Sequence, residues 1–192
     1  MYKLKEKEMI FVFTGPDGSG RKTVSKLVGD TIGMKTVISY TTRKKRHYEV
    51  DGTDYHFISK EEFLAAEKNE EFFESVEIEG KSYGIKEQDI VDRMNQKGCI
   101  YLVFNIEGTE QLKKKFGDKV VRLFVHADRD TVIERQRARG DSDEEIELHL
   151  KHFDKDLEYK EQSEYSIQNY EQANTAFEVT QIVEKYLLKG SA

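Results

Sequence analysis

Ile10-Phe11-Val12-Phe13-Thr14-Gly15-Pro16-Asp17-Gly18-Ser19-Gly20-Arg21-Lys22-Thr23 is the stretch that decides the architecture. Its first five residues form a short, mostly apolar run of β-formers, the pattern of a strand buried on both faces. Gly15 to Gly20 supplies a tight glycine turn. Val24, Leu27, Val28 and Ile32 then recur at helical spacing, so a helix is expected to start near Gly20. A glycine loop between strand and helix lets backbone N–H groups converge on an anion, and the helix N-terminus adds a favourable dipole. The phosphate-loop pattern G-x-x-x-x-G-K-[ST] sets a Lys on the outer phosphates of a nucleotide and a hydroxyl on Mg²⁺. Here Gly15, Asp17, Gly18, Ser19 and Gly20 keep the loop and its glycine spacing, but Arg21 stands at the lysine position and Lys22 at the hydroxyl position. Arg21 keeps the charge on a longer, planar group, and Lys22 is no metal ligand. Thr23 offers a hydroxyl only if the loop is read with one extra residue, which changes its direction on the helix.

Outward from the loop, strands and helices alternate. Thr36 to Tyr40 is a β-rich run, and residues 41–58 are polar, basic and then aromatic. Ser59-Lys60-Glu61-Glu62 is a capping box opening a short helix. Phe72 to Glu79 reads as a strand, Ile90, Val91 and Met94 as a helix, and Cys99 to Phe104 as a buried strand. Glu110 to Phe116 reads as a helix, Val120 to Val125 as a strand and Arg129 to Arg139 as a helix. A second capping box, Ser142 with Glu145, predicts one long charged helix to about Gln162. Ser166 to Gln168 is a last short strand and Val179 to Leu188 a C-terminal helix. The alternation predicts an α/β class with a parallel sheet flanked by helices. The segment from about 36 to 85 breaks the alternation and is expected to form a small separate lobe.

Composition bounds the rest. The chain has 192 residues, with 37 acidic against 31 basic side chains and a net charge of −6. That length predicts one domain, and the acidic balance argues against a nucleic-acid partner. Cys99 is the only cysteine, which excludes an intramolecular disulfide and a cysteine zinc cage, and it reads as a small buried hydrophobe. The apolar run Met9 to Phe13 is too short for a membrane span or a signal-peptide core, so a cytoplasmic protein with no membrane partner is expected. The five histidines show no metal-ligand spacing, and Arg139-Gly140-Asp141 reads as a chance tripeptide.

Four motifs in order carry a family resemblance. Gly15 to Gly20 resembles the loop GPSGSGKST of guanylate kinases. Ser39-Tyr40-Thr41-Thr42-Arg43-Lys44-Lys45-Arg46, followed by Glu49, Gly52 and Tyr55, is similar to that family's GMP-binding stretch. Glu70-Glu71-Phe72-Phe73-Glu74 with Gly80, Tyr83 and Gly84 resembles its E-F-x-E…G-x-x-Y-G element, and Arg135 to Glu145 resembles its lid. The resemblance implies a P-loop nucleoside monophosphate kinase fold. Its core would take about 9–38, 98–127 and 163–188, a small mixed-β GMP-binding lobe about 39–88, and a helical lid about 134–155.

The resemblance also implies roles. Arg43 and Arg46 would clamp the GMP phosphate, helped by the Tyr55 and Tyr83 phenols. Glu74 would accept from guanine N1–H and the 2-amino group, with Ser39 near O6. Arg21, Lys22, Arg135 and Arg139 would act on the transferring phosphoryl group. Asn169 falls at the family's adenine-side Asn. The donor side departs from the pattern. Val103 and Asn105 replace an Asp-x-Asp pair, Ile85 a hydroxyl residue, and His149 a lid arginine. Asn105 keeps a hydrogen-bonding contact toward GMP but brings no charge. ATP with Mg²⁺ is the implied cosubstrate and cofactor, and the Mg²⁺ ligands stay unassigned. The expected activity is ATP-dependent phosphorylation of GMP, at a rate the donor-side changes reduce. The alternative is a GMP- or phospho-ligand-binding module that has lost transfer.

Overall fold

Strand β1 (Met9–Thr14) occupies the middle of a five-stranded parallel sheet. The computed structural model describes residues 4–5, 7–78 and 80–189. The sheet order is β2 (Lys35–Thr36), β7 (Cys99–Val103), β1, β8 (Val120–His126), β9 (Tyr165–Gln168). Alternation along β1 builds two cores. Phe11 and Phe13 face one side with Leu123 and Val125, against Val24 and Val28 of α1 (Arg21–Ile32) and Val179 and Val183 of α8 (Gln172–Lys189). Ile10 and Val12 face the other side with Ile100 and Leu102. They meet Ile90 and Met94 of α3 (Glu87–Lys97) and Leu112 of α4 (Ile106–Phe116). Both faces are covered, which is why these strands read as continuous apolar runs.

A second, mixed sheet forms the lobe, in the order β4 (His56–Phe57), β3 (Tyr40–Thr41), β6 (Lys81–Lys86), β5 (Phe72–Ile78). Strands β3 and β4 are parallel, and β6 runs antiparallel to both β3 and β5. Helix α2 (Lys60–Lys68) starts at the predicted capping box on Ser59 and Glu62 and stacks Phe63 on Phe72 at 4.4 Å. The helical arm consists of α5 (Arg129–Arg139), α6 (Asp143–Leu150) and α7 (Phe153–Glu158).

Four sequence expectations change. The run Thr36 to Tyr40 is not one strand. Its start pairs with β7 in the main sheet and its end pairs with β6 in the lobe, with Val37 buried at the crossing. The long helix to Gln162 is three pieces: α6, α7 and a 3₁₀ turn at Tyr159–Gln162. His152 leaves helical geometry (φ −108°, ψ 1°), and the break sets Phe153 against Ala127 and Val132. Helix α4 starts earlier than Glu110 because Asn105 caps it, accepting from the Gly108 N–H at 2.8 Å. Cys99 is half-buried at the sheet margin rather than fully inside. Glu79, the last residue of the expected strand, lies outside the described residues, and no described helix is long and apolar enough to cross a membrane.

Candidate functional site

The phosphate loop is held by its neighbours. Gly15 has φ +132°, and a Cβ there would run into the Val125 carbonyl oxygen. Gly20 has φ +92°, and a Cβ there would strike the Asn169 amide nitrogen. Neither position admits another residue without backbone strain. Beneath the loop, the Ser19 carbonyl accepts from Asn169 Nδ2 at 2.7 Å and from Arg135 Nη1 at 3.1 Å. Gly20 caps α1 with no side chain, so the first-turn N–H groups carry no side-chain cap. Such an end is suited to an anion.

Opposite elements build the acceptor wall. Arg43 grips Glu49 with both nitrogens, Nη2 to Oε1 at 2.6 Å and Nη1 to Oε2 at 2.9 Å, and the Arg46 N–H donates to the same carboxylate at 2.7 Å. Burial alone would raise the Glu49 carboxyl, but these donors hold it below its ordinary range. The Arg43 guanidinium lies 5.5 Å from the Tyr55 ring centroid, and the Tyr55 and Tyr83 rings meet edge to face at 6.0 Å. Glu74 is carried on β5 at its register irregularity and is only 7% exposed. Burial, and then the charge of Glu107, push its carboxyl up to about 7.

Loop, lobe and arm meet through charge. Arg139 donates to Asp17 at 2.8 Å and to Asp141, while Arg46 reaches Asp141 at 3.7 Å. Arg21 lies 3.6 Å from Asp17 and donates to the Phe104 carbonyl at 3.2 Å. Burial would raise the Asp17 carboxyl, yet Arg139 and Arg21 outweigh it and hold it at about 2. His149 Nδ1 sits 2.9 Å from Gln136 Oε1 and 3.5 Å from Asp17. Lys22 reaches across to the lobe, with its ammonium 3.7 Å from the Tyr55 ring centroid.

These parts enclose one cavity of about 620 Å³, ample for a nucleotide. Every predicted site residue except Gly15, Ser19 and Asn169 lies on its wall. The family model described as "Guanylate kinase" matches residues 7–186. The chain belongs to the guanylate kinase family. It is 34% identical over 176 residues to the guanylate kinase of Fusobacterium nucleatum, covering 91% of this chain and 95% of that one. The crystal structure of guanylate kinase from Anaplasma phagocytophilum superposes with a TM-score of 0.72 at 26% identity, covering 95% of this chain and 87% of that one. The fold is accordingly the P-loop nucleoside monophosphate kinase fold, with a parallel central sheet and flanking helices.

Within this guanylate kinase framework three predicted residues make hydrogen bonds inside the fold. Asn169 is fully buried under the loop, off the cavity wall, instead of standing open on an adenine side. Arg135 spends its donors on the backbone carbonyls of Ser19, Asn169 and Tyr170. Asn105 lines the cavity, but its side-chain oxygen caps α4. The sequence alone does not single out Asp141, which sits in an uninformative tripeptide, or Gln136, which carries no motif signal. Glu49 stands in a motif without an assigned role, although a carboxylate close to two arginines is the available clue. Nor does any spacing announce that His149 comes together with Asp17 and Asp141, within 4.8 Å.

Guanylate kinases use ATP with Mg²⁺, and the donor set here does not suit a protein-held Mg²⁺. That ion takes oxygen ligands, commonly one or two carboxylates beside the phosphates. Lys22 fills the hydroxyl position, and Val103 and Asn105 bring no carboxylate. Two of the four carboxylates on the wall are committed to arginines. Asp17 binds Arg139 and Arg21, and Glu49 binds Arg43. Asp54 accepts from the Val50 N–H, and Glu74 is buried with its carboxyl raised to about 7. The Asp17, Asp141 and His149 cluster closes on the Arg139 guanidinium, which a cation would have to displace.

Proposed function

We propose that this chain transfers the γ-phosphoryl group of ATP to GMP, giving ADP and GDP. A GMP phosphate oxygen forms the new P–O bond, and the bond from the γ-phosphorus to the bridging oxygen breaks, leaving its electrons on ADP. One observation carries the reading: the buried Glu74 carboxylate lines the same cavity as the loop residues Gly20, Arg21 and Lys22. Guanine alone among the common bases presents N1–H and a 2-amino group side by side, and a carboxylate accepts both. Adenine presents a bare acceptor at N1, which an ionised Glu74 repels. Arg43 and Arg46 lie on the cavity wall, and exchange of Glu49 and Asp141 for a phosphate would give the fork geometry that suits it. Catalysis of this kind rests on positioning and charge neutralisation, which the converging arginines support. The kinase relatives support the same activity.

The second reading, a GMP-binding module without transfer, is favoured by Asp17. Its carboxylate holds Arg21 and Arg139, the cations a triphosphate would need. Chromatographic detection of GDP from GMP and ATP decides between them, with Glu74→Ala as the control for contaminating host kinase. GDP from the parent and none from the control supports transfer. GDP at the level of the control leaves the binding module.

A further inference from the structure

Six cationic side chains line the cavity: Arg21, Lys22, Arg43, Arg46, Arg135 and Arg139. Four are ion-paired in place: Arg21 with Asp17, Arg139 with Asp17 and Asp141, Arg43 with Glu49 and Arg46 with Asp141. Arg135 is tied to backbone carbonyls. Lys22 differs. Among the described residues no carboxylate lies within ion-pair distance of it, and its ammonium rests over the neutral Tyr55 ring at 3.7 Å. A ring face orients a cation without cancelling its charge.

Lys22 springs from the first turn of α1, where the family pattern sets a metal-binding hydroxyl, and ends on the lobe that carries Arg43 and Tyr83. Its charge therefore lies between the phosphate loop and the acceptor wall. An ammonium is a compact point charge with three donors, able to meet phosphate oxygens from more than one group. The carboxylate inside the phosphate loop, Asp17, is already paired with arginines, and Val103 and Asn105 bring no other to a divalent ion there. On the reading that ATP is the donor, we infer that Lys22 takes the place of a protein-held divalent cation, so that this site binds the nucleoside triphosphate as the free anion.

Calorimetric titration of ATP into the unaltered chain, once in excess Mg²⁺ and once in excess chelator, tests this without any variant. The expected result is affinities within about threefold of each other. Loss of about tenfold or more on chelation overturns the inference. Lys22→Ser and Lys22→Gln, whose uncharged side chain is longer than serine, provide the second arm. Each is expected to weaken binding of free ATP by about tenfold or more, and the Ser variant to regain affinity with Mg²⁺. Unchanged binding of free ATP by both variants also overturns it. GDP formation is scored separately. Metal-indifferent ATP binding without GDP keeps the inference and sinks the transfer reading. GDP with chelation-sensitive binding does the reverse, and no ATP binding in either buffer sinks both.

Discussion

Gly108, in the first turn of α4, lies directly against the Glu74 carboxylate: a Cβ at residue 108 would stand 2.8 Å from Oε1 and 2.9 Å from the carboxyl carbon. The backbone there is ordinary helix, so only the close approach requires glycine. Gly108→Ala should therefore leave stability within about 1 kcal/mol, since alanine is the better helix former. It should shift the flexible Glu74 head and weaken GMP binding about tenfold, or 1.4 kcal/mol, with kcat at saturating GMP little changed. Thermal unfolding beside steady-state kinetics checks both halves. An unchanged KM for GMP would remove Glu74 as the guanine anchor in this geometry.

The raised carboxyl of Glu74 gives GMP binding a pH dependence. Its ordinary value of 4.5 rises to about 7 in the fold, so at pH 6 most of the population is protonated and cannot accept two hydrogen bonds. GMP affinity should be about tenfold weaker at pH 6 than at pH 8 from this group alone. Glu74→Gln, which carries no titrating carboxyl, isolates that component from the titration of the nucleotide's own phosphate. Equal slopes in parent and variant would contradict the assignment.

The same burial has a stability sign opposite to that of a salt-bridged acid. The folded state binds the proton more tightly than the unfolded chain, so no cost exists below about pH 4 and it accumulates as pH rises through 7. Keeping the ionised carboxylate buried costs about 3 kcal/mol once pH is well above 7. Glu74→Gln should match the parent's melting temperature near pH 4 and exceed it at pH 8. A gap between the two that does not widen with pH would mean that Glu74 ionises in the fold without penalty.

Much of this site is legible in the chain because its motifs are local. The glycine spacing of the loop, the capping boxes at Ser59 and Ser142 and the cluster from Ser39 to Tyr55 each encode a short-range geometry. Asp17 with Arg139, Arg46 with Asp141 and Glu74 with Gly108 join segments far apart in sequence, and no periodicity announces such pairs. The break of the long charged helix is hidden for a related reason. Leu150, Phe153 and Leu157 fit a continuous helical stripe as well as they fit the bend, and only packing on Ala127 and Val132 selects the bend. Asn169 carries a further contact that its motif does not announce, since its amide holds the loop from below.

That buried amide separates the two halves of the site. Asn169→Ala removes one of two side-chain donors to the Ser19 carbonyl and leaves only Arg135. Stability should fall by about 1–3 kcal/mol, the cost of an under-satisfied buried polar group. The looser loop should raise the KM for ATP while the KM for GMP stays as in the parent. Equal changes in both would mean that Asn169 supports the whole cavity and not the loop.

Asp17 is the last lever on the donor side. A carboxylate inside a phosphate loop repels the ligand the loop is built for, and here it also holds Arg21 and Arg139. Asp17→Ser removes that negative charge and the only ion pair of Arg21, while Arg139 keeps Asp141. ATP affinity should rise, by about tenfold for one like charge removed from a confined anion site. The arm, no longer pinned by Asp17, keeps Asp141 as its tie to Arg46, so closure over the nucleotide remains possible. Equilibrium binding of ATP to parent and variant at low and high salt measures the effect, and the difference between them should shrink as salt screens it. Weaker ATP binding by the variant would mean that Asp17 positions Arg21 and Arg139 for the phosphates and does not compete with them.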